Sequence, residues 1–305
     1  MRLPVLVGPT GVGKTAVATA LAGLLPVEIV SADSRQAYRG LAIGTAAPSA
    51  AERAAAPYHG VGVVDPRERY SAGRFARDAA AWIDGIAARG RTPLVVGGTG
   101  LYLRALFDGL FEEPDLGGER RQRLGVWLRA LPLATADRWA RRLDPLYRGG
   151  GRQRAQRAVE VALLAGRSLS ALQAAGTPAP REPGAWYAVL TLERPALHER
   201  IARRTRAMLD AGWVDEVRGC LAGGVPPDAP GLSAVGYREI VAHLEGRLAA
   251  DALEDAIAQA TRRYAKRQET WFRHQLGGPA VRLDARAAAD ALARQVVDGY
   301  RAAGS

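Results

Sequence analysis

The stretch Leu3-Pro4-Val5-Leu6-Val7-Gly8-Pro9-Thr10-Gly11-Val12-Gly13-Lys14-Thr15 decides how this chain folds. Leu3 to Val7 is a short, uncharged apolar run bounded by a glycine, which reads as a strand buried on both faces. Gly8 to Thr15 fits the pattern G-x-x-x-x-G-K-[ST], and the segment from Thr15 to Leu25 reads as a helix. A glycine-rich turn between a buried strand and a helix is an anion cradle. Its successive N–H groups point at one anion, and the helix N-terminus adds a positive dipole. Lys14 supplies a mobile point charge, and Thr15 offers a hydroxyl to a magnesium ion. The motif shows that phosphates bind, but ATP and other phosphate esters remain open as ligands.

Val27 to Ser31 reads as a second buried strand, ending at Asp33. Ser71 caps a helix to about Ala88, and Thr92 to Val96 is a third strand ending in Gly97-Gly98-Thr99-Gly100. A helix then runs to about Asp108. Strands alternating with helices predict a P-loop-type parallel sheet core flanked by helices. From Arg120 to Ala175 the periodicity is helical throughout, between Pro- and Gly-bearing hinges at 113–119 and 177–184. The predicted organisation is α/β, with an all-helical domain (113–183) inserted into a core made of 1–112 and 184–305. Trp186 to Leu192 returns to strand, and helices follow at about 195–211, 214–221, 234–244 and 251–276. Ala280 to Leu283 reads as a last strand, with Asp284 as cap of a final helix.

In open α/β sheets the carboxyl ends of the strands line the ligand crevice. Asp33 therefore faces the phosphate loop, as metal ligand, base or turn cap. A nucleotide hydrolase puts its magnesium acid at the end of a sheet strand, but the third strand ends in glycines and a threonine. Thr99 is either a phosphate donor or a helix cap. Arg200 and Arg204 share a helix face after the 186–192 strand, a place from which one of them could clamp a leaving phosphate, though either is equally readable as a surface residue.

The 305 residues are 48% apolar and 24% charged, with one cysteine, Cys220, so neither a disordered chain nor a disulfide-stapled fold is indicated. The longest uncharged apolar stretch, Thr15 to Val27, is shorter than the roughly 20 residues of a membrane span. No signal-peptide architecture follows Met1, and the chain reads as cytoplasmic. Net charge is +11, and of 42 basic residues only Lys14 and Lys266 are lysines. In so arginine-rich a chain, the two mark places where a compact ammonium is wanted rather than a planar fork. Residues 113–183 hold thirteen arginines against seven acids, and 261–275 hold five basic residues against one acid. Clustered positive charge of this kind points to nucleic acid. The histidines lack metal-ligand spacing, the six tryptophans sit in apolar patterns that read as core, and Cys220 reads as a small core residue.

These motifs together resemble the bacterial tRNA dimethylallyltransferase (tRNA isopentenyltransferase) family. The resemblance is carried by Gly8–Thr15, by Ser31-Ala32-Asp33-Ser34-Arg35-Gln36-Ala37-Tyr38-Arg39-Gly40 and by Val96–Tyr102. It continues through Gln153–Val161, Ala234–Glu239 and Ala260–Trp271, over about residues 3 to 273. It implies transfer of a dimethylallyl group from its diphosphate to N6 of the adenosine 3′-adjacent to the anticodon, with Mg2+ as cofactor. On matching positions Asp33 becomes the general base and Thr99 a ligand of the bridging oxygen. Gly8, Pro9, Thr10, Gly11, Val12, Gly13, Lys14, Thr15 and Arg204 become the diphosphate site, with Thr15 on the metal. The family implies contacts to the tRNA anticodon stem-loop from Asp33, Ser34, Arg35 and Gln36, the last at the flipped adenine. Further contacts are implied for Gln153, Arg154, Ala155, Gln156 and Arg157, for Gly236, Tyr237 and Arg238, and for Lys266, Arg267 and Gln268. A monomer with no membrane partner is expected. The chain departs from the family at Leu146–Gly151, where an acidic, Asn-containing stretch is usual, and at Tyr58-His59, where two histidines are common. Rival readings are a small-molecule kinase, a prenyltransferase acting on free AMP, and an RNA-binding module with a degenerate loop.

Overall fold

The computed structural model describes residues 2–110, 118–175 and 184–304; both expected hinges fall outside these except for Gly118, Glu119 and Gly184. The elements are β1 (Leu3–Val7), α1 (Lys14–Ala22), β2 (Val27–Ala32), α2 (Ala42–Thr45), α3 (Ala50–Ala55), β3 (Tyr58–His59), α4 (Ala72–Ala88), β4 (Thr92–Gly97) and α5 (Gly100–Phe107). Next come α6 (Gly118–Ala130), α7 (Leu133–Leu143), α8 (Arg152–Ala165) and α9 (Leu169–Ala175). The chain continues with β5 (Ala185–Thr191), α10 (Arg194–Asp210), α11 (Trp213–Ala222), α12 (Tyr237–Leu244), α13 (Ala250–His274), β6 (Ala280–Asp284) and α14 (Ala289–Gly304).

The strands form one six-stranded parallel sheet in the order β3-β2-β4-β1-β5-β6. Every residue of β1 and β2 is buried, which is why these strands read as continuous apolar runs rather than alternating ones. Parallel pairing requires each crossover to return to the same end of the sheet, so the carboxyl ends of β1, β2, β4 and β5 share one edge. The turns after β1, β2 and β4 therefore converge there, and they carry the phosphate loop, Asp33 and Thr99.

Two compact units are present. One comprises Met1–Phe107 with Arg181–Ser305, and the other Asp108–Pro180. The first holds the large core, in which Leu6, Val17, Leu21, Leu94, Leu190, Leu197 and Ile201 pack around the sheet. The second is helical among its described residues, with a core of Leu128, Ala136, Ala140, Ala155, Ala158 and Val159. No helix among the described residues is long and apolar enough to cross a membrane.

The structure corrects several expectations. β3 is only two residues long, too short for a periodic signal, and exists because β2 presents Ile29 and Val30 as pairing partners. Asp284 ends β6 instead of capping the last helix; its carboxylate accepts the Arg286 N–H at 3.0 Å and ties a turn. The helix expected from Ala234 starts at Tyr237, after a 3₁₀ turn at Gly231–Ser233. Trp127 and Trp139 are not core residues: they are 42% and 40% exposed, edge to face at 6.3 Å. The helices of the second unit meet through alanines, which leaves no interior room for an indole. Cys220 is half-buried on α11, its Sγ 3.9 Å from the Gly40 carbonyl.

Candidate active site

The phosphate loop leaves β1 at Gly8 and enters α1 at Lys14. Gly11 and Gly13 have φ of +81° and +107°, which L side chains rarely adopt, and this lets the loop curl. Lys14 closes the curl: its Nζ donates to the Gly8 carbonyl at 2.9 Å and the Pro9 carbonyl at 3.0 Å. Burial pushes the Lys14 ammonium down to about 8; the Asp33 carboxylate opposes that shift and the Arg204 guanidinium adds to it.

Arg204 approaches from α10 and donates to Thr10 Oγ1 at 3.2 Å. Burial also lowers its pKa, with Asp33 opposing. Of the arginines on this helix, Arg200 braces the loop from behind, donating to the Val12 carbonyl at 3.0 Å and the Ala285 carbonyl at 2.9 Å. Arg203 and Arg206 are exposed, and Arg206 pairs with Glu254 at 3.1 Å.

Beyond β2, Asp33 Oδ1 accepts the Arg35 N–H at 2.9 Å, which shapes the turn and leaves Oδ2 open to other partners. Thr99 follows β4. Its hydroxyl oxygen accepts the Ser34 N–H at 3.1 Å, stitching the turn after β2 to the turn after β4. These ends approach so closely that a Cβ at Gly97 would lie 2.2 Å from the Ala32 carbonyl oxygen, so only glycine fits there.

A cleft of about 350 Å³, its open mouth included, is lined by Lys14, Thr15, Asp33 and Gln36, and on its apolar side by Ile29, Pro48, Tyr58 and Val96. One wall is thus charged and the other oily. Gln36 is already engaged: Oε1 accepts the Ser31 hydroxyl at 2.8 Å and Nε2 donates to the Ala46 carbonyl at 2.9 Å. Arg35 aims its guanidinium at the Pro230 carbonyl and the Ser233 hydroxyl, at 3.3 and 3.2 Å. Among the described residues no group of three or more His, Cys, Asp or Glu side chains could hold a metal.

The segments expected to face nucleic acid divide sharply. Gln153, Arg154, Arg238, Lys266 and Arg267 are exposed. Gln156 donates to the Leu128 carbonyl at 2.8 Å, and Arg157 donates to Glu160 at 2.7 Å. Burial alone would raise the Glu160 carboxyl, but Arg121 and Arg157 together hold it below the usual range. Four residues expected at the tRNA surface are interior. Ala155 is fully buried in the small helical core. Tyr237 is fully buried and donates to Glu216 at 2.7 Å, and a Cβ on buried Gly236 would fall 2.0 Å from the Trp213 ring. Gln268 is 6% exposed and bonded to backbone on both sides. For Ala155, Tyr237 and Gln268 the reason is common: consecutive residues of a helix point in different directions, so a motif that lies on a helix cannot present every member to one partner.

Sequence reasoning gave no role to Tyr264. Burial pushes its phenol up to about 12, and the Asp33 charge pushes the same way, while a hydrogen bond with Thr99 opposes. The Arg267 guanidinium lies 5.6 Å from its ring centroid. The missed signal was the i, i+4, i+7 row Tyr264–Gln268–Trp271. Trp271 packs on the start of α5, where a Cβ at Gly100 would lie 2.2 Å from its ring.

A family model described as IPP transferase matches residues 36–275, and one described as isopentenyl transferase matches residues 1–56. The chain is 44% identical over 295 residues to the tRNA dimethylallyltransferase of Maricaulis maris (strain MCS10), covering 94% of this chain and 96% of that protein. It is 46% identical over 281 residues to tRNA dimethylallyltransferase 1 of Syntrophotalea carbinolica, covering 88% and 87% respectively. The structure is similar to the full-length tRNA isopentenylpyrophosphate transferase from Bacillus halodurans, with TM-score 0.73, 31% identity and coverage of 99% and 96%. It is also similar to a eukaryotic dimethylallyltransferase acting on tRNA, with TM-score 0.74, 26% identity and coverage of 93% and 74%.

Proposed function

The chain belongs to the IPP transferase family, and from that premise we propose that it transfers the dimethylallyl group of dimethylallyl diphosphate to the exocyclic N6 amine of the adenosine 3′-adjacent to the anticodon in tRNA. The observation that carries this reading is the charge balance of the cleft. Two half-buried cations, Lys14 in the cleft wall and Arg204 against the loop at Thr10, are coupled to one carboxylate, Asp33, so the site is short of negative charge. An anionic diphosphate restores the balance, and the Ile29, Pro48 and Val96 wall suits a short hydrocarbon tail.

The adenine N6 amine is a weak nucleophile because its lone pair is delocalised into the ring. As N6 forms its bond to C1 of the dimethylallyl group, the C1–O bond breaks and its electron pair leaves with the diphosphate. Asp33 accepts the proton that N6 loses. Lys14, Arg204, the loop N–H groups and the Thr99 hydroxyl stabilise the charge that grows on the departing oxygens. The base has to leave its stack to reach the cleft, and the exposed Arg154, Lys266 and Arg267 bind the tRNA backbone. A tRNA substrate makes the cytoplasm the place of this reaction.

Magnesium fits the donors present. It is commonly held by one or two carboxylates together with substrate phosphates, and the Thr15 hydroxyl and Asp33 carboxylate line the same cleft. When bound, Mg2+ would supply further neutralisation of the diphosphate; the Thr15 hydroxyl would hold it together with the substrate phosphates.

Incubation with labelled dimethylallyl diphosphate and either unmodified tRNA or AMP tests the reading. Label is expected in the tRNA adenosine. Label in AMP alone, or in neither acceptor, would overturn it.

A further inference from the structure

β1 and β4 are neighbouring strands, but their pairing ends at Val7 and Gly97. Past that point strand pairing no longer sets the spacing of the phosphate loop and the Gly98–Thr99 turn, which still lie side by side: a Cβ at Gly98 would be 3.5 Å from the Gly8 carbonyl oxygen. Gln268 of α13 ties the two together. Its Oε1 accepts the Thr10 N–H at 2.9 Å, and its Nε2 donates to the Gly98 carbonyl at 2.8 Å. Gln268 is buried, and its side chain presses so closely on the turn that a Cβ at Gly98 would lie 2.4 Å from Nε2. Arg204 pins Thr10 from the other side through its hydroxyl. One amide thus joins the turn that carries Lys14 to the turn that carries Thr99.

We propose that Gln268 is a positioning residue for the transfer reaction: the strut that sets the distance between the phosphate loop and Thr99. This rests on the reading of those two turns as the diphosphate site. A diphosphate held at one phosphate by the loop can offer its bridging oxygen to Thr99 only at one spacing of the turns. In this role Gln268 acts through the backbone of the two turns, since both ends of its amide are spent on Thr10 and Gly98. Its amide is suited to the task because it offers an acceptor to a backbone N–H and a donor to a backbone carbonyl at once. A carboxylate offers only acceptors, a thioether offers no donor, and a protonated carboxyl group offers one of each.

Two variants test this. Gln268→Met keeps the bulk and removes the amide. Its kcat is expected to fall about 10–100-fold, the usual effect of an ångström-scale misplacement, with tRNA affinity unchanged within about twofold. Gln268→Glu carries a pH signature that packing alone would not produce. Its activity relative to wild type, measured at each pH, rises as the pH falls and the carboxyl group gains the proton that can bond Gly98. It also serves if Gln268→Met folds poorly. Three results overturn the strut: unchanged kcat and KM in Gln268→Met, weakened tRNA binding with kcat retained, or a flat variant-to-wild-type ratio across pH for Gln268→Glu. If the wild-type chain transfers no dimethylallyl group to tRNA, the underlying reading of the site fails, and the strut's role with it; this failure is distinct because the wild type itself is then inactive.

Discussion

Asp33 and Lys14 show how burial and charge assign roles to single residues. Asp33 sits where one oxygen shapes a turn and the cleft receives the rest of the carboxylate. Replacing it with alanine is expected to lower the chemical rate by roughly 10²–10⁴-fold, the usual worth of a general base, and to leave tRNA affinity nearly intact. Single-turnover kinetics at saturating substrates measures this; an unchanged chemical step removes Asp33 from the role. Lys14 makes a pH prediction. Burial holds its ammonium near 8, below the ordinary lysine range, so in the free enzyme it loses its proton as the pH rises through that value. The neutral amine binds a diphosphate poorly. The kcat/KM for dimethylallyl diphosphate, which reports free-enzyme groups, should therefore decline above about pH 8, and a profile flat to pH 10 would contradict it.

At the scale of elements, Glu28 of β2 ties strand to helix. The residue is 4% exposed, and its carboxylate lies 2.8 Å from His59 Nε2 of β3 and accepts from Arg89 at the end of α4 at 2.7 Å. The Arg89 hydrogen bond does most to hold the carboxyl below the usual carboxylate range; burial opposes it, and His59 adds to the lowering. A carboxyl depressed in the folded state lends stability above its unfolded value, and that stability is lost as the pH falls through the folded value. Glu28→Gln should therefore be less stable than wild type at neutral pH and should lose less on acidification below about pH 5. Urea titrations at pH 7 and pH 4 give the comparison, and an equal acid loss in both proteins would assign the acid sensitivity elsewhere. α13 makes the complementary point. Its outer ridges carry Lys266 and Arg267, while its inner row carries Tyr264, Gln268 and Trp271 against the cleft turns. One helix thus supplies both a charged surface and part of the wall of the catalytic site.

For the whole molecule, the net charge of +11 is a statement about partners. Arg154, Lys266 and Arg267 are exposed cations, whereas Arg157 is tied to Glu160 within its own unit. Removing one cation that meets a phosphate should flatten the salt dependence of tRNA binding by about one unit of log–log slope. The double variant Lys266→Ala/Arg267→Ala should flatten it by about two units and raise the tRNA KM, with dimethylallyl diphosphate binding unaltered. Arg154→Ala should flatten it by about one. A salt series of tRNA affinities decides this, and unaltered slopes in both would make these ridges ordinary solvated surface.

The sequence by itself determined five of the six strands and the phosphate turn, because a buried parallel strand is legible as a continuous apolar run and the loop needs glycine and lysine at set spacings. It also placed Asp33 at the cleft and Thr99 at the same sheet edge, since the ends of parallel strands share an edge. Tertiary structure alone decided which members of the helical motifs point outward. Ala155, Tyr237 and Gln268 lie beside exposed neighbours in sequence, yet each is buried by an element distant along the chain. Helical periodicity shows that residues differ in direction, but which direction is inward depends on what packs against the helix. For Gln268 that is Thr10 and Gly98, 258 and 170 residues away, a pairing set by the convergence of three turns at one edge of the sheet.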